Sequence, residues 1–365
     1  MDAKDSMLIY NPAAGSRDVH REVGQVIAFL KRRGWQVDPR ETRRTGDATA
    51  FARQAATLGK EVVLVVGGDG TINEVVNGLA GSEVAVGLLP AGTGNVWAME
   101  MRLPIPSVIR WRTLLDAIKS LVQGEIRRID LGRVNDRHFL LWGGVGLDAQ
   151  VTQRLEPRTR RTKKLGALAY AATAFLVAKD FRGTRTRVVA DGQKIRTRSM
   201  LVIISNAQLY ARIARVAFRA YLDDGLLDVC VFKGGGLLMT LLHVAHILTE
   251  RHLQDPRVAY IQARQVTIET RRPMPVQVDG DPFGTTPVTF TAVPQALRVI
   301  VPPEVPSWLF VGGGERPARF QWDFSWPSSQ AIRAGARRLA GRVVRREKLR
   351  DALPVQEDGV EADRG

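Results

Sequence analysis

Within Gly67-Gly68-Asp69-Gly70-Thr71-Ile72-Asn73 an acid, a hydroxyl and a carboxamide stand among glycines. Residues without Cβ let a chain turn sharply and bring its amides close to a bound group, so the run suits a phosphate-bearing ligand. Its neighbours say how it is held. Val62 to Val66 are apolar and mostly β-branched, as in a strand buried on both faces, and Ile72, Val75, Val76 and Leu79 follow at helical spacing. The run therefore lies between a strand and a helix N-terminus, where exposed N–H groups and the positive end of the helix dipole attract anions. Taken alone, the glycines serve an ordinary strand-to-helix turn equally well. No Gly-Lys-Ser/Thr follows, which excludes a Walker loop, and the spacing is not that of a Rossmann G-x-G-x-x-G.

Two further loops have the same setting. Met7 to Tyr10 reads as a strand closed by Asn11-Pro12-Ala13-Ala14-Gly15, and Val84 to Leu89 as a strand closed by Pro90-Ala91-Gly92-Thr93-Gly94-Asn95. Between them, Val19, Val23, Val26, Ile27 and Leu30 have helical spacing up to Gly34, with Lys31, Arg32 and Arg33 in the last turn. Trp35 to Val37 begins a strand with Thr42 just past it, and Gly46-Asp47 opens a helix carrying Ala50, Phe51, Ala55 and Leu58. Repeated strand, loop and helix units predict a parallel sheet with helices on both faces, and loops ending parallel strands converge on one edge.

GGDGT followed by Asn-Glu resembles the nucleotide-binding signature of the diacylglycerol kinase, sphingosine kinase and NAD kinase superfamily. N-P-x-x-G, GGDGTxNEVxNGL and P-x-GTxN in that order are similar to the bacterial soluble diacylglycerol kinase-like lipid kinases. The resemblance implies an α/β N-terminal domain with a parallel sheet and an all-β sandwich C-terminal domain that takes the lipid. It also implies ATP and Mg2+, with nucleotide contacts from Asn11, Pro12, Ala13, Ala14, Gly15, Thr42, Gly67, Gly68, Asp69, Gly70, Thr71, Ile72, Asn73 and Thr93. The family continues the third motif with an Asp; Val96-Trp97-Ala98 stands here, so any polar role of that Asp is absent or supplied elsewhere.

For the base, the resemblance offers Asp281, at the acidic position of a D-G-E motif that reads Asp279-Gly280-Asp281 here. Asp for Glu withdraws the carboxylate by roughly 1.5 Å, against a reach of about 3 Å for proton transfer. In eukaryotic relatives the GGDG acid has this task, which is Asp69 here, and Asp279 is a third candidate. Asp-Gly is also a common hairpin turn with no chemistry attached. Tyr221, Asp224 and Leu226 in YLDDGLLDV match a magnesium loop that acts partly through backbone carbonyls, and Asp130 matches an acid near the magnesium. Gly143 to Asp148, GGVGLD, resembles a further motif at the domain junction.

Beyond a helix around Leu114 to Val122 the periodicity shortens. Arg127 to Val134 and His138 to Val145 read as an antiparallel hairpin. From Thr184 the runs Arg187 to Ala190, Met200 to Ser205, Leu227 to Phe232, Val266 to Thr270, Met274 to Val278, Val288 to Thr291 and Leu297 to Val301 predict the sandwich, with one helix at Leu237 to Leu248. His243 and His246 are spaced to share a metal, but no third ligand is nearby, which favours packing. Pro302, Pro303, Pro306 and Gly312 to Gly314 read as a linker beside Trp308, Trp322 and Trp326. Ala331 to Leu353 then reads as a basic amphipathic helix that is interfacial or docked on the protein, or else as a disordered basic tail.

A chain of 365 residues is long for one core, and the boundaries expected are a nucleotide-binding domain at 1–126, a lipid-substrate domain at 127–301, and a linker with the basic helix at 302–365. Its single cysteine, Cys230, excludes an internal disulfide and fits a reducing compartment. Neither a secretory signal nor a stretch long enough to span a bilayer is visible, so the expected location is cytoplasmic with peripheral membrane association. The formal net charge of +16 implies an anionic partner. Arg154, Arg158, Arg160, Arg161, Lys163 and Lys164 crowd one segment, either a solvated loop or a contact to anionic lipid. Nucleic acid is disfavoured because no recognition motif accompanies the charge; a homodimer stays open. The reading is a kinase moving the γ-phosphoryl group of ATP to a hydroxyl of a diacylglycerol-like or sphingoid lipid. The alternatives are an NAD kinase and a nucleotide-responsive membrane-binding protein without turnover.

Overall fold

The computed structural model describes residues 4–15, 19–106, 113–155, 173–210 and 214–314. Most of the basic segment after Arg154, Trp322, Trp326 and the helix expected at 331–353 lie outside the described residues.

Strands β1 (Asp5–Tyr10), β2 (Gln36–Glu41), β3 (Val62–Gly67) and β4 (Ala85–Pro90) form a parallel sheet in the order β4-β3-β1-β2. Every residue of β3 and β4 is buried, which is why their sequences are continuous apolar runs rather than alternating ones. Helices α1 (Val19–Lys31), α2 (Asp47–Thr57), α3 (Asp69–Leu79), α4 (Val96–Glu100) and α5 (Thr113–Gln123) fill the connections. α2 packs closely on α3: a Cβ at Gly78 would strike the Ala52 side chain and the Thr49 carbonyl.

The β-rich lobe contains β5 (Glu125–Val134), β6 (Arg137–Phe139), β7 (Trp142–Gly146), β8 (Thr184–Ala190), β9 (Gln193–Ser205), β10 (Leu209–Tyr210) and β11 (Ala214–Arg215). It continues with β12 (Leu227–Lys233), β13 (Val258–Ala263), β14 (Gln265–Thr270), β15 (Pro275–Val278), β16 (Asp281–Thr285) and β17 (Val288–Val301). Two helices belong to it, α6 (Leu147–Leu155) and α7 (Leu237–Leu248). Its interior is a separate cluster around Phe139, Val145, Val188, Val202, Ile204, Val229, Ile268 and Phe290. The α/β lobe with parallel strands and the β-rich lobe are those the motifs imply.

Four expectations need correction. The second strand of the predicted hairpin stops after Phe139, because the amides of Leu140, Leu141 and Trp142 turn to the Asp279 carboxylate; β7 restarts beyond them and pairs with β9 and β15. The runs at Val288 and Leu297 are one strand, β17, interrupted by a bulge at Pro294-Gln295 where Gln295 has φ +49°. After the bulge, Arg298 and Val299 pair in parallel with Ala85 and Val86 of β4, joining the two lobes through one strand. β13 went unread because it pairs only with β12 and lies half-exposed, so it has no buried alternation. The stretch read as a linker is packed as far as Gly314. Leu309 and Phe310 are buried, the Leu309 carbonyl accepts the Leu222 N–H (2.9 Å), and Arg127 lies over the Phe310 ring.

Candidate active site

The three glycine loops meet. Asn11 donates Nδ2–H to Thr71 Oγ1 (3.4 Å) and accepts the Ala13 N–H on Oδ1, so its carboxamide shapes its own loop and touches the second. The Gly67 carbonyl accepts the N–H groups of Ala91 (2.9 Å) and Gly92 (3.3 Å), linking the second loop to the third. A Cβ on Gly92 would stand 2.5 Å from the Gly68 Cα, so only glycine lets these backbones approach. Gly15, at φ +71°, is pressed against the Ala91 carbonyl in the same way and closes the triangle. Thr42 is held at the adjacent strand end, its N–H on the Tyr10 carbonyl (2.9 Å), while Thr93 is exposed at the tip of the third loop.

Asp69 begins α3, and its Oδ1 accepts the Val96 N–H (2.8 Å) and, at 3.4 Å, that of Trp97. It thereby caps the first turn of α4. Val96, standing where the family has an Asp, is itself buried. The carboxylate that organises this corner thus comes from the second loop. Two atoms buried here, Asn73 Nδ2 and Asn95 Oδ1, have no protein partner among the described residues. Buried polar groups are normally satisfied, so the corner fits a polar ligand. Ile72 does not belong to that surface: its side chain is 2% exposed in the core and its N–H is spent on Gly68 within the helix.

Asp69, Asn73 and Asn77 recur at every fourth residue and share one face of α3. The stripe runs about 12 Å along the helix, from the glycine loops to β6. Asn77 donates to the His138 carbonyl (3.0 Å) and to Asn73 Oδ1 (2.8 Å), and accepts the His138 N–H (2.8 Å). Next to His138, Arg137 reaches Asp281 (2.5 Å). The stripe therefore joins the loops to the Asp279-Gly280-Asp281 turn, which the sequence separates from Asp69 by some two hundred residues.

The two acids of that turn are differently placed. Asp279 and Gly280, at φ +48° and +83°, form the two-residue turn between β15 and β16, as positive φ at both positions requires. The Asp279 carboxylate accepts three backbone N–H groups, from Leu140 (2.8 Å), Leu141 (3.0 Å) and Trp142 (2.9 Å). Burial pushes it up to about 6 against those donors and the Arg137 charge. With its oxygens engaged by the main chain, Asp279 fits the role of a pin rather than a base. Asp281 is half-exposed, and its Oδ2 accepts from the Arg137 guanidinium (2.5 Å).

In the predicted metal loop, Asp224 accepts the Leu226 N–H (3.0 Å), and burial with the nearby charges of Asp130 and Asp223 holds it up at about 6. Asp130 is fully buried and accepts the N–H of Gly225 on one oxygen (2.5 Å) and of Gln295 on the other (2.7 Å). Through these bonds it pins the loop and the β17 bulge, and its charge stands beside that of Asp224. Among the described residues no three His, Cys, Asp or Glu side chains converge as a metal cage. The acidity around Asp224 nonetheless suits a cation held by one carboxylate and main-chain carbonyls of Tyr221 and Leu226. His243 and His246 are absorbed by packing, His243 donating to the Lys233 carbonyl (2.9 Å) and His246 pairing with Asp255 (2.7 Å).

Sequence reasoning missed several supports. Asp148 of GGVGLD accepts Gln277 Nε2–H (2.7 Å), and Gln277 in turn accepts the Gly280 N–H (2.7 Å), which fixes the acidic turn from behind. Glu100 lies buried between the lobes and accepts the N–H groups of Gln208 (3.1 Å) and Leu209 (3.0 Å). The visible signal was an acid inside the apolar run VWAMEM. Burial outweighs those bonds and the Arg215 charge and pushes Glu100 up to about 7. Because its folded pKa lies above the unfolded value, its contribution is complete below about pH 4.5 and is lost as pH rises through about 7. Urea unfolding at pH 5 and pH 8 should give a difference smaller in Glu100→Gln than in the parent, by on the order of 3 kcal/mol. Equal differences in the two proteins would show that Glu100 is ionised throughout.

Residues 5–134 match the diacylglycerol kinase catalytic domain, and residues 144–301 match the YegS C-terminal NAD kinase beta sandwich-like domain. A diacylglycerol kinase of Bacillus subtilis is 27% identical over 303 residues, 82% of this chain and 97% of its own length. One of Staphylococcus carnosus is 27% identical over 308 residues, 83% and 96%. A solved diacylglycerol kinase structure from Bacillus anthracis superposes with a TM-score of 0.69 over 84% of this chain and 99% of that one, at 24% identity, and shares the fold. Both domains, in the same order and over almost the whole of these relatives, make this chain a member of the diacylglycerol kinase-like family.

Proposed function

We propose that the protein is an ATP-dependent lipid kinase acting at an anionic membrane surface, with a diacylglycerol-like or sphingoid alcohol as acceptor. The observation that carries this reading is the polar stripe of α3, which joins a corner of three amide-rich loops to a half-exposed acid on the neighbouring turn. In the proposed arrangement the triphosphate lies on the loop amides at the start of α3, with Asn11, Thr71 and Asn73 beside it. Asp281 accepts the proton of the lipid hydroxyl as its oxygen attacks the γ-phosphorus, and ADP leaves. Asp69 holds the third loop, and Asp279 and Gln277 hold Asp281. Magnesium would neutralise charge on the phosphates and, at the second position, bind Asp224 with the Tyr221 and Leu226 carbonyls. Phosphoryl transfer asks for placement and charge compensation rather than covalent catalysis by the protein. Among the described residues no helix is long and apolar enough to cross a membrane, so the proposed association is peripheral.

The test is to offer γ-labelled ATP with vesicles containing diacylglycerol, with sphingosine, and with NAD. Label should enter a lipid; label on NAD alone, or on nothing, would overturn the reading. The loop metal is tested apart from turnover. Millimolar magnesium should raise the Tm of the parent by a few degrees through binding to the folded state, and Asp224→Asn should lose that gain. An equal gain in both proteins would remove Asp224 from the ligand set.

A further inference from the structure

Helix α7, LLMTLLHVAHIL, contains no Asp, Glu, Lys or Arg, and is apolar on both faces: Leu237, Met239 and Ile247 pack against the core. A surface helix turns apolar side chains inward and charges outward. Here His243 is the buried residue, edge-on to Phe232, whereas Leu238 (82% exposed), Leu241 (51%), Val244 (44%) and Leu248 (53%) line the outer face. Their spacing of three and four residues makes one continuous stripe. Single exposed leucines need no explanation, but an aligned set marks a contact surface.

The helix begins beside a groove of about 1030 Å³ whose walls come from β8, β9, β14 and the residues just after it. Arg182, Arg185, Arg196, Arg198, Arg271 and Arg272 line this groove and are exposed. Glu269 is the acid in its wall and is paired with Arg187. The two features are physically joined: Gly234 donates to the Arg198 carbonyl (2.9 Å) and Gly236 to the Phe181 carbonyl (2.7 Å), which ties the start of α7 to the groove rim. Phe175 and Leu176, both more than half exposed, lie on the helical segment 173–180 leading into Arg182.

We propose that the outer face of α7 and this arginine groove form the surface by which the protein docks on an anionic bilayer, the leucines entering the acyl boundary and the arginines meeting lipid phosphates. This deepens the lipid-kinase reading and rests on it for its biological meaning. Charge complementarity selects the occupant. A second copy docking the same face by a two-fold axis would bring arginines against arginines. The chain's own C-terminal segment carries Arg333, Arg337, Arg338, Arg342, Arg345 and Arg346 and has the same sign. An anionic bilayer satisfies both halves of the surface, apolar burial for α7 and counter-charge for the groove.

The experiment uses the full chain and sedimentation with vesicles of phosphatidylcholine, alone or with about one-third phosphatidylglycerol. Leu238→Glu with Leu241→Glu should lower partitioning onto the anionic vesicles tenfold or more. Arg185→Gln with Arg196→Gln should lower it on the order of tenfold there, each cation contributing about 1 kcal/mol, and leave the neutral vesicles unaffected. Circular dichroism and Tm should match the parent because all four side chains are exposed. Parent-like partitioning of both variants would overturn the proposal. So would vesicle binding unchanged while the leucine variant turns an oligomer into a monomer in gel filtration, which identifies a second copy as the occupant. A short-chain, water-soluble diacylglycerol with labelled ATP separates docking from chemistry: both variants should phosphorylate it at the parent's rate. Failure of the parent itself to label any lipid would remove the kinase reading, with the vesicle result still judging the docking surface.

Discussion

Asp281→Asn should lower kcat for lipid phosphorylation by about 10²–10⁴-fold, the span expected when a positioned general base is removed, while leaving the protein folded. The second half of this expectation follows from where the side chain lies. Asp281 is half-exposed and its partner is the Arg137 guanidinium, and a pair of this kind contributes only about 0–1 kcal/mol. The amide keeps the size and loses the proton affinity, so a large rate effect with a small shift in Tm separates chemistry from structure. Asp281→Glu restores the longer carboxylate of the family motif and should retain most of the activity, because reach rather than identity is then the variable. Activity of Asp281→Asn within threefold of the parent would exclude this residue as the base and return the role to Asp69.

Asp279→Ala should show the opposite pattern, a loss of stability first and of activity through it. Its carboxylate is the shared acceptor for Leu140, Leu141 and Trp142. Leaving partly buried amides unpaired costs about 1–3 kcal/mol each, not additively. Alanine must also adopt φ near +48° in the turn, which adds about 1–2 kcal/mol. A total on the order of 3–5 kcal/mol is a large share of a typical folding free energy of about 5–15 kcal/mol. Denaturant unfolding should read this directly. Asp279→Asn should fall between, since asparagine tolerates positive φ and keeps one acceptor oxygen but turns an NH2 toward an N–H donor. An Asp279→Ala protein as stable as the parent would mean that β7 holds its position without the turn.

The contrast between these acids locates what could be read beforehand. Asp279-Gly280-Asp281 is recognisable as a turn, which the structure shows, and resembles a family motif. Their division of labour was not legible, because it depends on β6, β7 and Arg137, which lie some 140 residues earlier in the chain. Asp130 shows the same thing. It stands near the predicted metal loop, yet its oxygens are taken by Gly225 and by Gln295, a residue in a bulge that read as the gap between two strands.

The chain's local chemistry determined the elements and their order. Continuous β-branched runs make doubly buried strands, helical spacing makes α3 and α7, and glycines without Cβ permit the loops whose order marks the family. Those are properties of neighbours, and neighbours are what a sequence records. The tertiary structure alone decided which polar atoms are spent and which side chains stay outside: Asp69 on the Val96 amide, Asn77 on His138, Asp279 on the start of β7, and Leu238, Leu241 and Leu248 of α7 turned outward rather than into a core. The physical reason is that periodicity fixes which residues share a face, whereas burial and hydrogen-bond partners are set by segments that meet only when the sheet closes through β17.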